Sequence, residues 1–421
     1  MKKTTRIIYD VIIIGGGPAG MMSAGQAASR GAKVLLLEKN PDVGKKLLIT
    51  GGGRCNVTNA EENTRKFLAN YKESDKFLFS AFSQYAVKDA LKFFHENGME
   101  TKVEENGRVF PISNSARTVY EVLKNYLKEN KVDIENKAEV KNIISKNGKI
   151  SGAVLTNDKI LQANSYILAT GGKSRPDTGS TGDGFKWLKA LGHTIIEPNV
   201  SLVPITVREI WITNLAGVTL PKVKINVIQD NKKQFSRTGK ILFTHVGLSG
   251  PTILNMSKNV RELLNYGEVT LQLDLFPEQN EGELDNFLIN IFQENNKQFK
   301  NSLSSILPST LANTITTLSK ILPETKCHSI TREERKNLVK LLKTFPLSVK
   351  GLLGTDKAIV TSGGVALPEI NFKTMQSRLY DNLYIIGDLL NIDRPSGGFS
   401  LQLCWTTGFV AGNSVGVENG K

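Results

Sequence analysis

Val11-Ile12-Ile13-Ile14-Gly15-Gly16-Gly17-Pro18-Ala19-Gly20 decides how the rest of the chain is read. An unbroken β-branched run ends in a glycine turn, and small residues at helical spacing follow. The pattern predicts a buried strand over Ile7–Ile14, a helix over Ala19–Arg30 and a second strand over Lys33–Leu37, a βαβ unit. Within it, Gly15-x-Gly17-x-x-Gly20 has the spacing of a dinucleotide fingerprint. The first glycine allows the tight turn, the second lets a pyrophosphate reach the backbone, and the third lets helix pack on strand. Glu38 lies eighteen residues beyond Gly20, at the end of the second strand, where a carboxylate can accept from a ribose hydroxyl. Pro18 and Ala19, after the glycine turn, and Lys39, after the acid, are expected at the cofactor as well. A chance glycine turn beside a surface glutamate is the bland alternative, and the complete strand, helix, strand and acid context argues against it.

Working outward, two more segments end strands in glycine turns: Ile167-Leu168-Ala169-Thr170-Gly171-Gly172, and Leu383-Tyr384-Ile385-Ile386-Gly387-Asp388. Asp388 is placed to bind a polyol hydroxyl. A cofactor that needs these later segments spans the domain, as FAD does, whereas a nicotinamide can be served by one Rossmann half. A third stretch, from Lys45-Lys46-Leu47 to Gly51-Gly52-Gly53-Arg54-Cys55-Asn56-Val57-Thr58-Asn59, is too glycine-rich and polar for a core strand. Its glycines would let backbone lie against a ring, and Lys46 and Arg54 would offset phosphate charge. A plain surface loop is the competing reading.

Elsewhere, Glu139–Ser145 and Lys149–Thr156 flank Asn147-Gly148, a tight-hairpin signal. Strand-like pieces dominate from about 200 to 276, including Leu202–Val207, Val223–Gln229, Ile241–Thr244 and Glu268–Leu273. Helical periodicity takes over from 281 to 344, with Thr331-x-x-Glu334 as a capping box. Lys357–Thr361 and Leu383–Ile386 then read as strands, and Leu401–Val415 as a helix of small residues. The expected division is a discontinuous nucleotide-binding domain, 1–198 plus 360–421, a β-rich domain, 199–276 plus 345–359, and a helical subdomain, 277–344.

Composition narrows the function classes. The chain has 421 residues with 54 Lys and Arg against 40 Asp and Glu, a charge of +14, and a 40% hydrophobic content that excludes a disordered polycation. The three cysteines, Cys55, Cys327 and Cys404, form no Cys-x-x-Cys pair, so no disulfide framework or metal site is expected and a reducing cytoplasm fits. The four histidines show no metal-ligand spacing. The basic first residues followed by an apolar run imitate a signal peptide, but Asp10 and the glycine turn break the pattern. No apolar stretch nears the roughly 18 residues of a membrane span, so no membrane partner is expected. Residues 201–350 hold 19 basic and 13 acidic residues with no arginine-rich or aromatic-interleaved tract, and nucleic acid is not the expected partner.

The string Gly51-Gly52-Gly53-Arg54-Cys55-Asn56-Val57-Thr58-Asn59 resembles the signature of the BaiN/YhiN-like (HI0933-like) NAD(P)/FAD-dependent oxidoreductases, a family that includes aminoacetone oxidases. Similarity continues through Thr181–Gly184, Leu242–Pro251, Thr361–Val365 and Gly397–Gln402. The resemblance implies a glutathione-reductase-like α/β fold: an FAD-binding Rossmann domain with an inserted β-barrel-like domain and a small helical subdomain. It also implies noncovalent FAD, with Gly15, Gly17, Gly20 and Glu38 on the ADP half and the Val140 backbone on adenine. Gly52, Gly53, Arg54, Cys55 and Asn56 would lie near the flavin. Gly387, Asp388, Gly398, Phe399, Ser400, Leu401 and Gln402 would complete the ribityl and ring contacts. Where relatives have an acidic, glycine-containing loop and Gly-Gly-Tyr-Asn, this chain has Asp393-Arg394-Pro395-Ser396 and Gly397-Gly398-Phe399-Ser400.

The expected activity is hydride transfer between a small amine or enone and flavin N5, with oxygen or transiently bound NAD(P)H as second redox partner. Catalytic residues stay unassigned. His245 and Arg394 are pocket candidates, each balanced by a structural or solvated alternative. Cys55, without a dithiol partner, reads as a packing residue. An RNA-modifying or RNA-binding flavoprotein and a non-catalytic flavin redox sensor are the other classes to test.

Overall fold

The computed structural model describes residues 9–264, 266–294, 298–353 and 360–416. The chain divides into two compact units, 1–200 with 358–421, and 201–357.

The first unit is built on a five-stranded sheet in the order Leu383–Ile385, Ala163–Leu168, Tyr9–Ile14, Val34–Glu38, Asp133–Asn136. Every pairing is parallel, with Ile13 level with both Ile167 and Leu36. Parallel strands need cover on both faces, which is why Val11, Ile12, Ile13 and Leu36 are fully buried and the run is apolar without alternation. The first helix, Pro18–Ser29, lies against the last, Phe399–Ser414. Their small residues make this possible: a Cβ on Gly408 would stand 2.6 Å from the Ala19 carbonyl oxygen, and one on Gly412 2.5 Å from that of Ser23. A helix apolar on all sides belongs in a core, and Leu403, Trp405, Val410 and Ala411 are fully buried.

The Asn147-Gly148 turn joins strands Val140–Lys146 and Lys149–Leu155, with left-handed φ of +52° and +72° at the two central residues. Residues 7–8 of the expected first strand and 357–359 of the expected Lys357–Thr361 strand lie outside the described residues; Val360–Val365 is a strand. Between 58 and 129, where periodicity gave no assignment, stand helices Asp75–Gln84, Val87–Glu96 and Ala116–Glu129 and a small antiparallel sheet, Thr58–Asn59, Arg108–Pro111, Thr101–Glu104.

The second unit is a closed barrel in the order Ile205–Val207, Gly247–Ser249, Lys232–Thr244, Thr219–Gln229, Thr270–Asp274, Phe345–Leu352. Ile225, Val227, Leu271, Leu273, Phe345 and Leu347 are fully buried. Helices Glu281–Glu294, Ser309–Ser319 and Arg332–Lys343 share this core through Leu284, Leu288, Leu311, Ile315, Leu338 and Leu342. The Thr331 and Glu334 capping box closes in both directions: the Glu334 amide donates to Thr331 Oγ1 at 3.2 Å, and the Thr331 amide to Glu334 Oε2 at 2.8 Å. Two strands differ from expectation. Leu202 has φ of +56°, so pairing begins only at Ile205. The piece expected over Ile241–Thr244 is the end of a 13-residue strand, whose first half is too charged to read as sheet.

Candidate functional site: a dinucleotide cleft

A cleft opens in the first unit where the central strand meets the first helix. Gly15 turns the chain at φ +109°, and a Cβ there would stand 2.5 Å from the Ala169 carbonyl oxygen. Gly20 is tighter, with its missing Cβ 1.9 Å from the Gly15 carbonyl oxygen. Gly17 is the opposite case. It caps the helix in extended backbone, φ −76°, and a Cβ would meet nothing within 4 Å. The helix has no side-chain cap, so its first-turn amides are available to an anion.

Glu38 forms the wall beside this turn and is 7% exposed. Its Oε2 accepts from the Gly16 amide at 2.8 Å, and its Oε1 accepts from the Asn40 amide and side chain, both at 2.7 Å. A carboxylate has about four acceptor sites, so the protein fixes the group while leaving room for a ribose hydroxyl. Asn40 also donates to the Thr178 carbonyl at 3.0 Å, and Lys39 reaches Asp183 at 3.0 Å. These contacts fold the segment Thr178–Asp183 onto the cleft. Sequence reasoning missed it, because the loop follows no strand. Its signal was Gly182-Asp183 at a helix start.

On the far wall, Lys46 Nζ donates to Ser174 Oγ at 2.7 Å and lies 3.4 Å from Asp388 Oδ2. Arg394 closes the network. Its Nη2 pairs with Asp388 Oδ1, its Nε donates to Ser400 Oγ at 3.0 Å, and its Nη1 donates to the Ile392 carbonyl at 2.8 Å. Burial pushes the Asp388 carboxyl up, but the charges of Arg394 and Lys46 outweigh it and hold the group below the usual carboxylate range. Two cations around one anion leave a net positive wall, suited to a pyrophosphate. The Arg394 side chain is fully buried and does not line the cleft, so it acts through Asp388 and Ser400 instead of touching a ligand.

Of the residues expected at the cofactor, Gly15, Gly17, Pro18, Ala19, Glu38 and Lys39 line the cleft, as do Lys46, Leu47, Val140, Thr170 and Gly171, and Gly387, Asp388, Ser400 and Leu401. Others serve elsewhere. Gly20 and Gly398 are packing glycines, the missing Gly398 Cβ lying 2.2 Å from the Thr58 carbonyl. Gly172 is buried off the cleft. Phe399 packs on Phe67 and Tyr71, and Gln402 turns into the core, accepting from Thr58 Oγ1 at 2.7 Å. Gly52 and Gly53 are exposed, two and three residues past cleft-lining Thr50. Arg54 pairs with Glu104, donates to Asn114 at 3.1 Å and stacks 4.0 Å over Phe110, so its charge is committed away from the cleft. Cys55 is fully buried, and burial pushes its thiol up to about 12. Cys404 lines the cleft with its thiol likewise pushed up to about 12 by burial. Neither provides a thiolate at neutral pH. His245 is exposed in a turn of the barrel unit, its carbonyl accepting from Thr213 Oγ1 at 3.0 Å.

The cleft fits FAD on two features of its own. Gly17 leaves open space where a pyrophosphate approaches backbone, and Thr170 Oγ1, buried in the lining, has no hydrogen-bond partner. Asn56 Oδ1, also expected at the cofactor, is a buried acceptor without a donor but does not line the cleft.

Residues 9–414 match the profile of the HI0933-like protein Rossmann domain. The chain belongs to the HI0933-like family. Its relatives include a ribosomal RNA dihydrouridine synthase of Haemophilus influenzae, 31% identical with 96% of this chain and 98% of the relative covered. A 3-dehydro-bile acid delta(4,6)-reductase of Clostridium scindens is 30% identical over 96% and 98%. Among solved structures, a flavocytochrome c3 fumarate reductase shares the fold at a TM-score of 0.55 with 17% identity, covering 96% of this chain and 77% of that one. A 3-ketosteroid Δ4-(5α)-dehydrogenase of Rhodococcus jostii does so at 0.54 with 13% identity, covering 98% of each. Members of the HI0933-like family are FAD-dependent oxidoreductases, and this chain is one. No described helix is long and apolar enough to cross a membrane.

Proposed function

We propose that the protein reduces a carbon–carbon double bond conjugated to a carbonyl, and that the leading substrate is a uracil ring in ribosomal RNA. The supporting observation is a cleft that fits FAD, in a chain similar over its whole length to relatives whose names describe one chemistry on two scaffolds. Dihydrouridine is uridine with its C5=C6 bond saturated next to the C4 carbonyl. A 3-oxo-Δ4,6 bile acid presents the same conjugated arrangement. This favours the reductive direction over amine oxidation.

Bound FAD supplies the two-electron hydride chemistry at its ring. Glu38 would hold the adenosine ribose, and the first helix's amides with Lys46 the pyrophosphate. Asp388, fixed by Arg394, would accept from the polyol chain. The N-terminus of the Phe399–Ser414 helix, with Ser400 and Leu401 in the lining, would offer positive potential to the negative charge that a bound flavin gathers on reduction. The electron source is proposed to be NAD(P)H, bound transiently, because the sequence has no second Gly-x-Gly-x-x-Gly unit.

The test is anaerobic. The yellow holoenzyme is bleached with NADPH, then mixed with transcribed ribosomal RNA, a 3-oxo-Δ4 bile acid or aminoacetone. Recovery of flavin absorbance with RNA, together with a two-hydrogen mass gain on uridine, is the expected result. Recovery with the bile acid alone selects the small-molecule version. Bleaching of the oxidised flavin by aminoacetone, with no response to either acceptor, overturns the proposal.

A further inference from the structure

The +14 charge of the chain is not spread evenly through the second unit. Residues 201–350 carry 19 basic and 13 acidic residues, a net +6. Strands Thr219–Gln229 and Lys232–Thr244, with their turn, hold Lys222, Lys224, Lys232, Lys233, Arg237 and Lys240 against Asp230 alone. That is six against one, +5, and it leaves 13 basic and 12 acidic residues in the remainder of the segment. Almost all of the excess sits on one hairpin. A linear scan hides it, because the cations fall at separated positions on two strands that only their pairing brings together.

We propose that this hairpin docks the phosphate backbone of RNA. The inference rests on the RNA reading above and names the surface that would present the substrate. Register places Lys224 opposite Thr238, Asn226 opposite Ser236 and Ile228 opposite Lys233, so cations and short hydrogen-bonding side chains share the hairpin. Lys222, Lys232, Lys233, Arg237 and Lys240 are exposed. Lys222 pairs with Glu278. Among the described residues the other five cations have no ion pair, and their cross-strand neighbours on the hairpin, such as Thr238, Ile228 and Gln229, carry no acid. The acid in register with Lys224 is Asp274, and it is committed to Lys343 at 2.7 Å. Cations without an ion pair give the hairpin a positive potential, and a polyanion that binds it releases its own counterions.

A second feature points to RNA. At the end of the hairpin, Gln229 Nε2 donates to the Leu263 carbonyl at 2.8 Å, and a Cβ on Gly267 would lie 3.4 Å from the same nitrogen. Between these contacts stands Tyr266, 83% exposed. A solvent-facing aromatic ring beside phosphate-binding cations suits stacking on an unpaired base. An anionic membrane would instead call for an apolar wedge on the hairpin, and the exposed positions there are Lys, Arg, Asp, Asn, Gln, Thr and Pro.

The experiment uses the full-length, FAD-loaded protein with transcribed ribosomal RNA as probe, titrated over a range of salt. Lys224→Gln, Lys232→Gln, Lys233→Gln and Lys240→Gln are combined in one variant. Each phosphate contact contributes about 0.9 to the log–log salt slope on duplex, or about 0.7 on single strands, so the variant's slope should flatten by about 3. Its affinity at low salt should drop by at least about tenfold. A control with Lys320→Gln, Lys326→Gln, Lys336→Gln and Lys340→Gln loses the same net charge from exposed positions on the helical segments and should bind as the parent does. Tyr266→Ala should weaken binding about tenfold without altering the slope. Unchanged flavin absorbance and thermal midpoint show that the variants are folded. Equal loss in the control, unchanged binding in the hairpin variant, no RNA binding by the parent, or preference for phosphatidylserine vesicles over RNA each overturns the proposal. Dihydrouridine formation is scored separately. RNA bound through the hairpin without uridine reduction would refute the substrate reading and leave the docking surface standing, and uridine reduction unaffected by the hairpin variant would do the reverse.

Discussion

Two glycine triplets in the first unit differ in what they need glycine for. Gly15-Gly16-Gly17 sits in a half-buried turn whose first two positions leave no room: added methyls at Gly15 and Gly16 would lie 2.5 Å from the Ala169 carbonyl and 2.6 Å from Val43 Cγ1, while Gly17 faces open space. Gly51-Gly52-Gly53 is exposed, and methyls at Gly52 and Gly53 would meet nothing within 4 Å, but all three residues hold left-handed φ between +56° and +84°. Each triplet also has an arginine and carboxylate nearby. Arg394 is buried and Asp388 part-buried in the cleft's far wall, whereas Arg54 and Glu104 are half-exposed. Glycine thus serves close approach in one loop and backbone conformation in the other, and buried charge organises a site where exposed charge only decorates it.

The most severe break in this contrast is Gly20→Ala. Its methyl would lie 1.9 Å from the Gly15 carbonyl oxygen, a backbone atom that cannot swing away. Helix and strand must part, at a cost of about 3 kcal/mol or more. We expect a colourless, poorly folded product, measured as loss of bound flavin absorbance and of soluble yield. A yellow variant with the parent's thermal midpoint would mean that the third glycine does not set the helix's approach.

Next in size is Arg394→Met, which leaves the part-buried Asp388 carboxylate with Lys46 as its remaining cation. The loss, read from denaturant midpoints, should stay below about 3 kcal/mol, where the cost of breaking a fully buried pair begins. Arg54→Met, its exposed counterpart, should leave the midpoint almost unmoved. Acid sharpens the difference. Asp388 titrates below its ordinary range when folded, so its contribution is complete above the unfolded carboxyl value of about 4 and disappears as pH falls through the folded value. Unfolding measured between pH 6 and pH 3 should show stability falling at the acid end, with a shallower fall in Asp388→Asn.

Much of the first loop's role is legible in sequence because its constraint is local: strand, turn, helix and acid fall within thirty residues, from Tyr9 to Glu38. Segments that reach the cleft from afar are less so. Lys46 and Asp388 carry visible signatures, but Thr178–Asp183 arrives only because Lys39 and Asn40 hold it. Arg394 stood out in the sequence as a departure from the family pattern and suggested a substrate contact. Three side-chain hydrogen bonds, none implied by spacing, place it behind the cleft instead. In the barrel, Lys232–Lys240 carries no strand signal because period-two alternation fails when charges and a glycine fill the strand. Its pairing with Thr219–Gln229 is a tertiary fact, and so is the charge patch it creates.

The smallest effects separate the two loops most cleanly, because they should cross. Gly17→Ala adds a methyl into empty space at an ordinary φ of −76°, so apoprotein stability should change by less than about 0.5 kcal/mol. The same methyl stands where a pyrophosphate would approach the helix amides, so FAD affinity, read by flavin fluorescence on reconstitution, should fall by at least about tenfold. Gly52→Ala also adds a methyl into open space, but at φ +68°, where an L-residue is strained by about 1 kcal/mol. Here the denaturant midpoint should drop while FAD affinity stays within about threefold. If Gly52→Ala releases FAD as readily as Gly17→Ala does, the second triplet belongs to the cofactor cradle and the contrast fails. If Gly17→Ala destabilises the apoprotein, the open space at Gly17 is filled by protein in solution, and the cleft is not preformed for its ligand.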